Sequence, residues 1–243
     1  MNETLDSFLG GRIKLVQPSD GYRAGIDPIF LAASLHPKPH EKILDVGAGV
    51  GTASISLAVR CPHARVIGLE VQSNLVQLAL TNIAANRVED RVEMIKGDLL
   101  SPPSILKLNS FDHIMTNPPY YEYSRTQSSP DPGKAQANTE TVDLGKWIKA
   151  CLKMLKSKGV FTMIHRPERL SEILPYLENR VGDLVIFPLW PGTNKLARRV
   201  IIQGRKNIRG DIRLAQGLTL HGGAEKYTPE AEAILRHAQA LIP

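Results

Sequence analysis

The sequence has 243 residues and only two cysteines, Cys61 and Cys151. They stand far apart, with no CxxC spacing and no neighbouring Cys/His ligand pattern. That excludes a disulfide framework and a structural zinc site, and it predicts reduced thiols. No metal is expected. No apolar run approaches the ~20 residues that a membrane-spanning helix needs, so no membrane partner is expected. The opening Met1-Asn2-Glu3-Thr4-Leu5-Asp6 is acidic. It lacks the basic and apolar blocks of a secretory signal, which makes a cytoplasmic protein the expectation. No Ser-His or His-Asp pair stands out for nucleophilic chemistry. His113, inside a strand, and His165, at a strand end, read as packing residues. There is no internal repeat, and no linker long enough to separate two domains.

What is present is ordinary for a globular protein: 42% hydrophobic and 22% charged residues. The length suffices for one α/β domain with a sizeable core. Lys and Arg exceed Asp and Glu by 30 to 24, a net charge of +6. Such a balance bears on association and not on fold. Lys195, Arg198, Arg199, Arg205, Lys206, Arg209 and Arg213 crowd one C-terminal stretch whose single acid is Asp211. Arg12, Lys14 and Arg23 form a smaller cluster. A polyanion such as nucleic acid fits this distribution; so does a solvated surface whose strand edges are guarded by cations.

Residues 11–25 read as a hairpin, with Arg12–Val16 alternating and Pro18-Ser19-Asp20-Gly21 as the turn. Asp27-Pro28 opens a helix, with Asp27 as N-cap. Strands and helices then alternate. Strands are expected at 43–46, 65–70, 92–95, 111–116 and 159–164, and two more at 184–189 and 199–203. Helices are expected at 52–60, after Ser73 as a cap, over Leu144–Leu155, at 168–179, and from Thr228-Pro229 to near Ile242. This alternation predicts an α/β fold: a mostly parallel sheet of about seven strands with helices on both faces. Residues 1–40 form a small hairpin and helix extension, and residues 41–243 a single compact domain. Tyr123–Lys134 is rich in Ser, Pro and Gly and is expected to be a mobile loop.

In open α/β sheets ligands sit beyond the carboxyl ends of the strands. The first core strand runs into Asp45-Val46-Gly47-Ala48-Gly49-Val50-Gly51-Thr52, a G-x-G-x-G loop. Dinucleotide sites use G-x-G-x-x-G, tuned to a pyrophosphate. Here the spacing differs, and the carboxylate of Asp45 would repel a pyrophosphate. It suits an amine-bearing, cationic ligand without phosphate, such as S-adenosylmethionine. Glu70 ends the second strand, where it can accept hydrogen bonds from both ribose hydroxyls. Asp98 follows the third, where it can accept from an adenine amine. The fourth strand ends in Asn117-Pro118-Pro119-Tyr120. The Asn117 side chain and the Pro118 carbonyl can both accept from one NH2 group. Two prolines stiffen that loop, and Tyr120 offers a ring on which a planar base can stack. A proline-stopped loop accounts for the tetrapeptide alone; it does not account for the series of four strand ends.

These residues resemble the motifs of class I S-adenosylmethionine-dependent methyltransferases that act on planar nitrogens. Gly21-Tyr22-Arg23-Ala24-Gly25-Ile26-Asp27-Pro28 and Leu220-His221-Gly222-Gly223-Ala224-Glu225-Lys226-Tyr227-Thr228-Pro229-Glu230-Ala231 are similar to the narrower bacterial family of tRNA1(Val) adenine-37 N6-methyltransferases. The resemblance runs nearly end to end. It implies a Rossmann-like fold and adenine N6-methylation in RNA, at position 37 of a tRNA anticodon loop. It implies cofactor contacts from Asp27, Asp45, Gly47, Ala48, Gly49, Gly51, Glu70, Val71, Asp98, Leu99 and Asn117. Asn117, Pro118 and Tyr120 would form the transfer site. Tyr121, Tyr123 and Arg125 could extend its stacking surface.

A glutamine amide presents the same NH2, so a protein glutamine-N5 methyltransferase is an alternative, as is a DNA adenine methyltransferase. The residues before the first core strand leave little room for the helical domain of the former, and no separate target-recognition domain marks the latter. A non-catalytic RNA-binding protein on the same scaffold would be expected to have lost the glycine loop or Asn117, and both are intact. A hydroxyl acceptor has one proton to donate and usually needs a base, which fits the clamp poorly. The sequence leaves the oligomeric state open.

Overall fold

The protein is described from a computed structural model over residues 3–20, 23–119, 143–223 and 226–243. Tyr120, Tyr121, Tyr123, Arg125 and the 123–134 segment lie outside the described residues, as do Gly21, Tyr22, Ala224 and Glu225. Strand β1 (Glu3–Phe8) pairs antiparallel with β2 (Ile13–Pro18). Their turn is Leu9-Gly10-Gly11, whose glycines adopt φ of 65° and 88°. This corrects the hairpin expected over 11–25. Arg12–Val16 belongs around the second strand, not the first, and Pro18 closes that strand. The polar segment Glu3–Phe8 carries no buried face that would mark it as a strand.

Helix α1 (Asp27–Ala33), β3 (Lys42–Val46), α2 (Thr52–Arg60), β4 (Arg65–Glu70), α3 (Ser73–Ala85), β5 (Val92–Lys96) and β6 (Phe111–Thr116) follow. Then come α4 (Leu144–Met154), β7 (Leu155–His165), α5 (Leu170–Leu177), β8 (Val181–Gly192), β9 (Arg199–Lys206), β10 (Arg213–Leu214), β11 (Leu218–His221) and α6 (Pro229–His237). The main sheet has the order β10-β8-β9-β7-β6-β3-β4-β5, with β11 also on β8. Among the described residues it has nine strands, two short edge strands beyond the expected seven. Strands β3 to β7 are mutually parallel, and β9 runs antiparallel between β7 and β8.

Apolar residues alternate between two cores because each strand is covered on both faces. Ile43, Val66, Met115 and Ile201 join α1, α2, α3 and α6 on one side. Leu44, Leu69, Ile114, Phe161 and Ile202 join α4 and α5 on the other. A one-residue slip would carry each strand's side chains to the wrong core, so the register is strongly specified. The N-terminal hairpin is fastened to α3 by two asparagines four residues apart. Asn82 accepts from the Val16 N–H (2.7 Å) and donates to the Val16 carbonyl (3.0 Å). Asn86 does the same with Lys14 (3.0 and 2.8 Å). The two amides replace the neighbouring strand that β2 lacks on that edge.

Four boundary expectations change. Asp27 is not an N-cap; Ile26 precedes α1 with no side-chain cap, and Asp27 accepts a hydrogen bond from Arg199 Nε at 2.6 Å. Ser73 begins α3 without capping it. Leu155 opens β7 directly, because α4 ends where the chain joins the sheet beside Phe111. The last helix stops at His237, followed by Ala238 at φ 55°.

Candidate active site

The sheet reverses its order at β3: β4 and β5 lie on one side, β6 and β7 on the other. A crevice opens at such a switch point, outside the carboxyl ends. The loop after β3 fills it. Gly47, Gly49 and Gly51 take φ of 73°, 56° and 84°, values that strain a residue with a Cβ. The Gly47 and Ala48 N–H groups donate to the Leu69 carbonyl (2.9 and 3.1 Å), which pins the loop to β4. Glu70, at the end of β4, accepts from Gly49 N–H (3.0 Å) and from Gln72 N–H (2.9 Å). A buried carboxylate thus holds the loop from behind.

The loop forms one wall of a cleft of about 460 Å³, counting the part open to solvent. Its lining includes Asp45, Gly47, Ala48, Gly49, Val50, Thr52 and Asn117, with Ala24, Pro28, Leu31, Ala53 and Leu75 as apolar walls. Asp45 is 2% exposed and accepts from Ser54 Oγ at 2.7 Å. Burial pushes its carboxyl up to about 7; the Ser54 hydrogen bonds oppose the rise and the charge of Glu70 adds to it. Thr52 Oγ1 is buried with no hydrogen-bond partner among the described residues.

Asn117 is half-buried on the cleft wall, with Pro118 buried behind it and Pro119 exposed. Their strand end is locked by a chain that sequence reading assigns only to core packing. Trp147 Nε1 on α4 donates to Thr116 Oγ1 (3.0 Å), which donates to the Val46 carbonyl (2.9 Å). The Trp147 ring also closes over the loop: a Cβ built on Gly47 would lie 3.3 Å from two of its carbons. Trp147 therefore touches both halves of the crevice. Its helical spacing with Ile148 and Cys151 hid this role, and Ser54, Thr52 and Leu75 carry no sequence signal beyond ordinary helix residues.

The other expected positions spread along the same edge. Gly51 leads into α2 and packs toward Ile55 and Ala79. Val71 is 55% exposed beside Glu70, an uncovered apolar side chain at the end of β4. Asp98 is exposed and accepts from Leu100 N–H at 2.9 Å. Leu99 buries its side chain in the second core. Asp27 is paired with Arg199, next to the cleft residue Pro28.

Both cysteines are buried, and burial pushes the Cys151 thiol far up, so neither is poised for chemistry. Burial, then the charge of Arg169, lowers His165 to about 4; it is neutral at neutral pH. Among the described residues no three acid, His or Cys side chains gather as a metal site, and no helix is long and apolar enough to cross a membrane.

Comparison with known proteins agrees with this architecture. Residues 26–183 match the family described as methyltransferase small domain. A Porphyromonas gingivalis relative named tRNA1(Val) (adenine(37)-N6)-methyltransferase is 32% identical over 240 residues, 93% of this chain and 91% of the relative. A Bacteroides thetaiotaomicron relative of the same name is 33% identical over 144 residues, 58% of this chain and 59% of the relative. Among solved structures, one from Agrobacterium tumefaciens, described as a predicted O-methyltransferase, is similar in fold. It has a TM-score of 0.74 at 22% identity, covering 89% of this chain and 99% of that one. Geranyl diphosphate C-methyltransferase from Streptomyces coelicolor, solved with S-adenosyl-L-homocysteine, has a TM-score of 0.53 at 15% identity, covering 73% and 76%. With the family matched over most of its length, and with the sheet order and switch-point cleft described above, the chain belongs to the methyltransferase small domain family.

Proposed function

We propose that this chain methylates N6 of an adenine in RNA, at position 37 of a tRNA anticodon loop, with S-adenosylmethionine as donor. One observation carries the reading: Asn117 lines the same cleft as Asp45 and the glycine loop. The acceptor clamp and the cofactor cradle then share one space. The relatives' name supplies the target nucleotide.

The residues present fit the cofactor. Asp45 is a buried carboxylate for an ammonium group, and the orphaned Thr52 hydroxyl at the start of α2 suits a carboxylate. Glu70 keeps acceptor capacity for ribose hydroxyls, Asp98 for an adenine amine, and Val71 an apolar face for the ring. The bound cofactor supplies an electrophilic methyl on a cationic sulfur. The protein's task is to orient the acceptor. An adenine amine is a poor nucleophile because its lone pair is delocalised into the ring. Asn117 Oδ1 and the Pro118 carbonyl hold its two N–H bonds and turn the lone pair out of the ring plane. Positioning and electrostatic assistance of this kind contribute several kcal/mol. No strong base is needed, since the alkylated amine is acidic enough to lose its proton to solvent. Tyr120 would stack on the extruded base, and an adenine in an RNA loop is already partly unstacked. In this reading residues 41–243 are the catalytic domain, residues 1–40 an extension held to α3, and the cytoplasm the compartment.

The test is incubation with labelled S-adenosylmethionine and, separately, total tRNA, DNA and a release-factor protein. The expected product is N6-methyladenosine in tRNA. Label found only in protein or DNA, or on an oxygen, overturns the reading.

A further inference from the structure

The seven cations of the C-terminal run do not make one patch. Thr116 pairs with Met163, Met163 with Ile202, and Ile202 with Ile186, so Ile186 marks the level of the transfer site on β8. Strand β9 runs antiparallel to its neighbours and carries Arg199 to the site end and Arg205 and Lys206 to the other, roughly 20 Å away at ~3.3 Å per residue. At that far end the cations serve the fold. Lys206 Nζ donates to Asn109 Oδ1 and to the Leu152 and Leu155 carbonyls (2.7, 2.6 and 2.7 Å). Arg205 Nε donates to the Lys158 carbonyl (3.2 Å).

At the near end the β8–β9 turn extends past the ends of β6 and β7. Gly192 lies six residues beyond Ile186, so the turn projects about 20 Å past the level of Thr116. Three strand spacings, roughly 14 Å, separate it sideways from β6. The arm is braced. Strand β11 pairs with it through Thr219 to Trp190 and His221 to Gly192, and Trp190 Nε1 donates to the Gln216 carbonyl (3.0 Å). Tyr227 stacks on His221 with ring centres 4.7 Å apart, and Gly222 N–H donates to the Lys226 carbonyl (2.9 Å). This places Lys226, from the tail motif, beside Gly192. At its base Arg199 ties the arm to Asp27, next to the cleft wall.

The arm thus carries Lys195, Arg198 and Lys226, all exposed, and Leu196, which is 86% exposed. The side chains of these three cations make no hydrogen bond or ion pair with another described residue. Like charges on one arm repel one another, and an external polyanion relieves that repulsion. A braced cationic arm to one side of the cleft fits a strand that passes over both. We propose that Trp190–Arg198, with Lys226, is the docking surface for the phosphate backbone of a single-stranded RNA segment. The target adenine, a few nucleotides along, occupies the Asn117 site, and Leu196 covers an unstacked base or ribose. This rests on the RNA reading above. An acidic protein segment is the competing occupant.

The test compares the full chain with Lys195→Ala/Arg198→Ala, and with Arg209→Ala as an exposed far-end control, on tRNA. Loss of two phosphate contacts should lower the salt slope of log Kd by about 1.4 and weaken tRNA binding roughly 20-fold near 0.1 M salt. The kcat at saturating tRNA, the cofactor Kd and the melting temperature should hold, and Arg209→Ala should match the wild type. An unchanged slope and KM, with tRNA still methylated, overturns the arm and leaves the RNA reading standing. Equal loss in Arg209→Ala, or lost cofactor binding or stability in the double variant, also overturns it. If the wild type methylates a protein glutamine and no RNA, the functional reading fails and the arm falls with it.

Discussion

On the proposed reading Asp45 faces the cofactor's ammonium group, and its buried carboxyl should then make cofactor binding pH-dependent in a calculable way. With its pKa at about 7, the carboxyl is about half protonated at neutral pH in the free protein. An ammonium group is attracted only to the ionised form. The apparent Kd therefore scales as one plus the ratio of protonated to ionised carboxyl. That factor is ~1.1 at about pH 8 and ~11 at about pH 6, a tenfold loss of affinity, or about 1.4 kcal/mol. The sign is unambiguous: affinity falls as pH falls through about 7, and binding at neutral pH releases about half a proton. Titration calorimetry of S-adenosylmethionine in buffers of different ionisation enthalpy reads both quantities. Asp45→Asn keeps an acceptor for Ser54 and removes the charge, so its affinity should be weaker and flat over the same range. Folding stability gives a second, opposite sign. A carboxyl raised in the folded state binds a proton more tightly there than in the unfolded chain, so its contribution to apo stability declines as pH rises from about 4 to about 7. A wild-type affinity that does not change between about pH 6 and about pH 8, or an equal slope in Asp45→Asn, would refute the reasoning.

Asn117→Ala should lower kcat by roughly 10²–10³, the scale of losing one well-placed electrostatic contact, while cofactor Kd stays within about twofold. Cofactor binding lost in step with activity would mean that Asn117 belongs to the cradle and not to the clamp. Gly47→Ala places a Cβ at φ 73° and 3.3 Å from the Trp147 ring. It should cost about 1–2 kcal/mol from backbone strain alone in urea unfolding, and a neutral result would show that the loop relaxes freely. Trp147→Phe removes the donor to Thr116 Oγ1 and should destabilise by about 1 kcal/mol. It should also reduce kcat more than it alters KM for the acceptor; the reverse split would deny the ring a part in fixing the Asn117 strand end.

Much of the architecture is written locally. Segments such as 184–189 (Leu-Val-Ile-Phe-Pro-Leu) are buried on both faces, so they read as continuous apolar runs. The glycines after β3 are legible because only glycine tolerates three left-handed residues in so short a span. Features that depend on distant partners were not legible. Asp27 reads as a helix cap, yet Arg199 claims its carboxylate from 172 residues away. Strands β10 and β11, of two and four residues, are too short for any periodicity and exist because β8 offers them an edge. Trp147 looks like one more apolar residue of an amphipathic helix until α4 is laid across the crevice.

The residues at each strand end, a glycine loop, two acids and an Asn-Pro-Pro-Tyr run, are adjacent in the chain and so legible without a structure. The sequence also determined the alternation that makes those ends point one way. Which of them share a cleft, and which cations of the C-terminal run stand near it, depends on how the strands are ordered in space. The reason is physical. Local propensity and hydrophobic period act over a few residues, whereas strand order and register are set by burial and pairing between segments far apart in the chain. Placing β9 antiparallel between β7 and β8 sends half of one basic run to the site and half to the opposite edge.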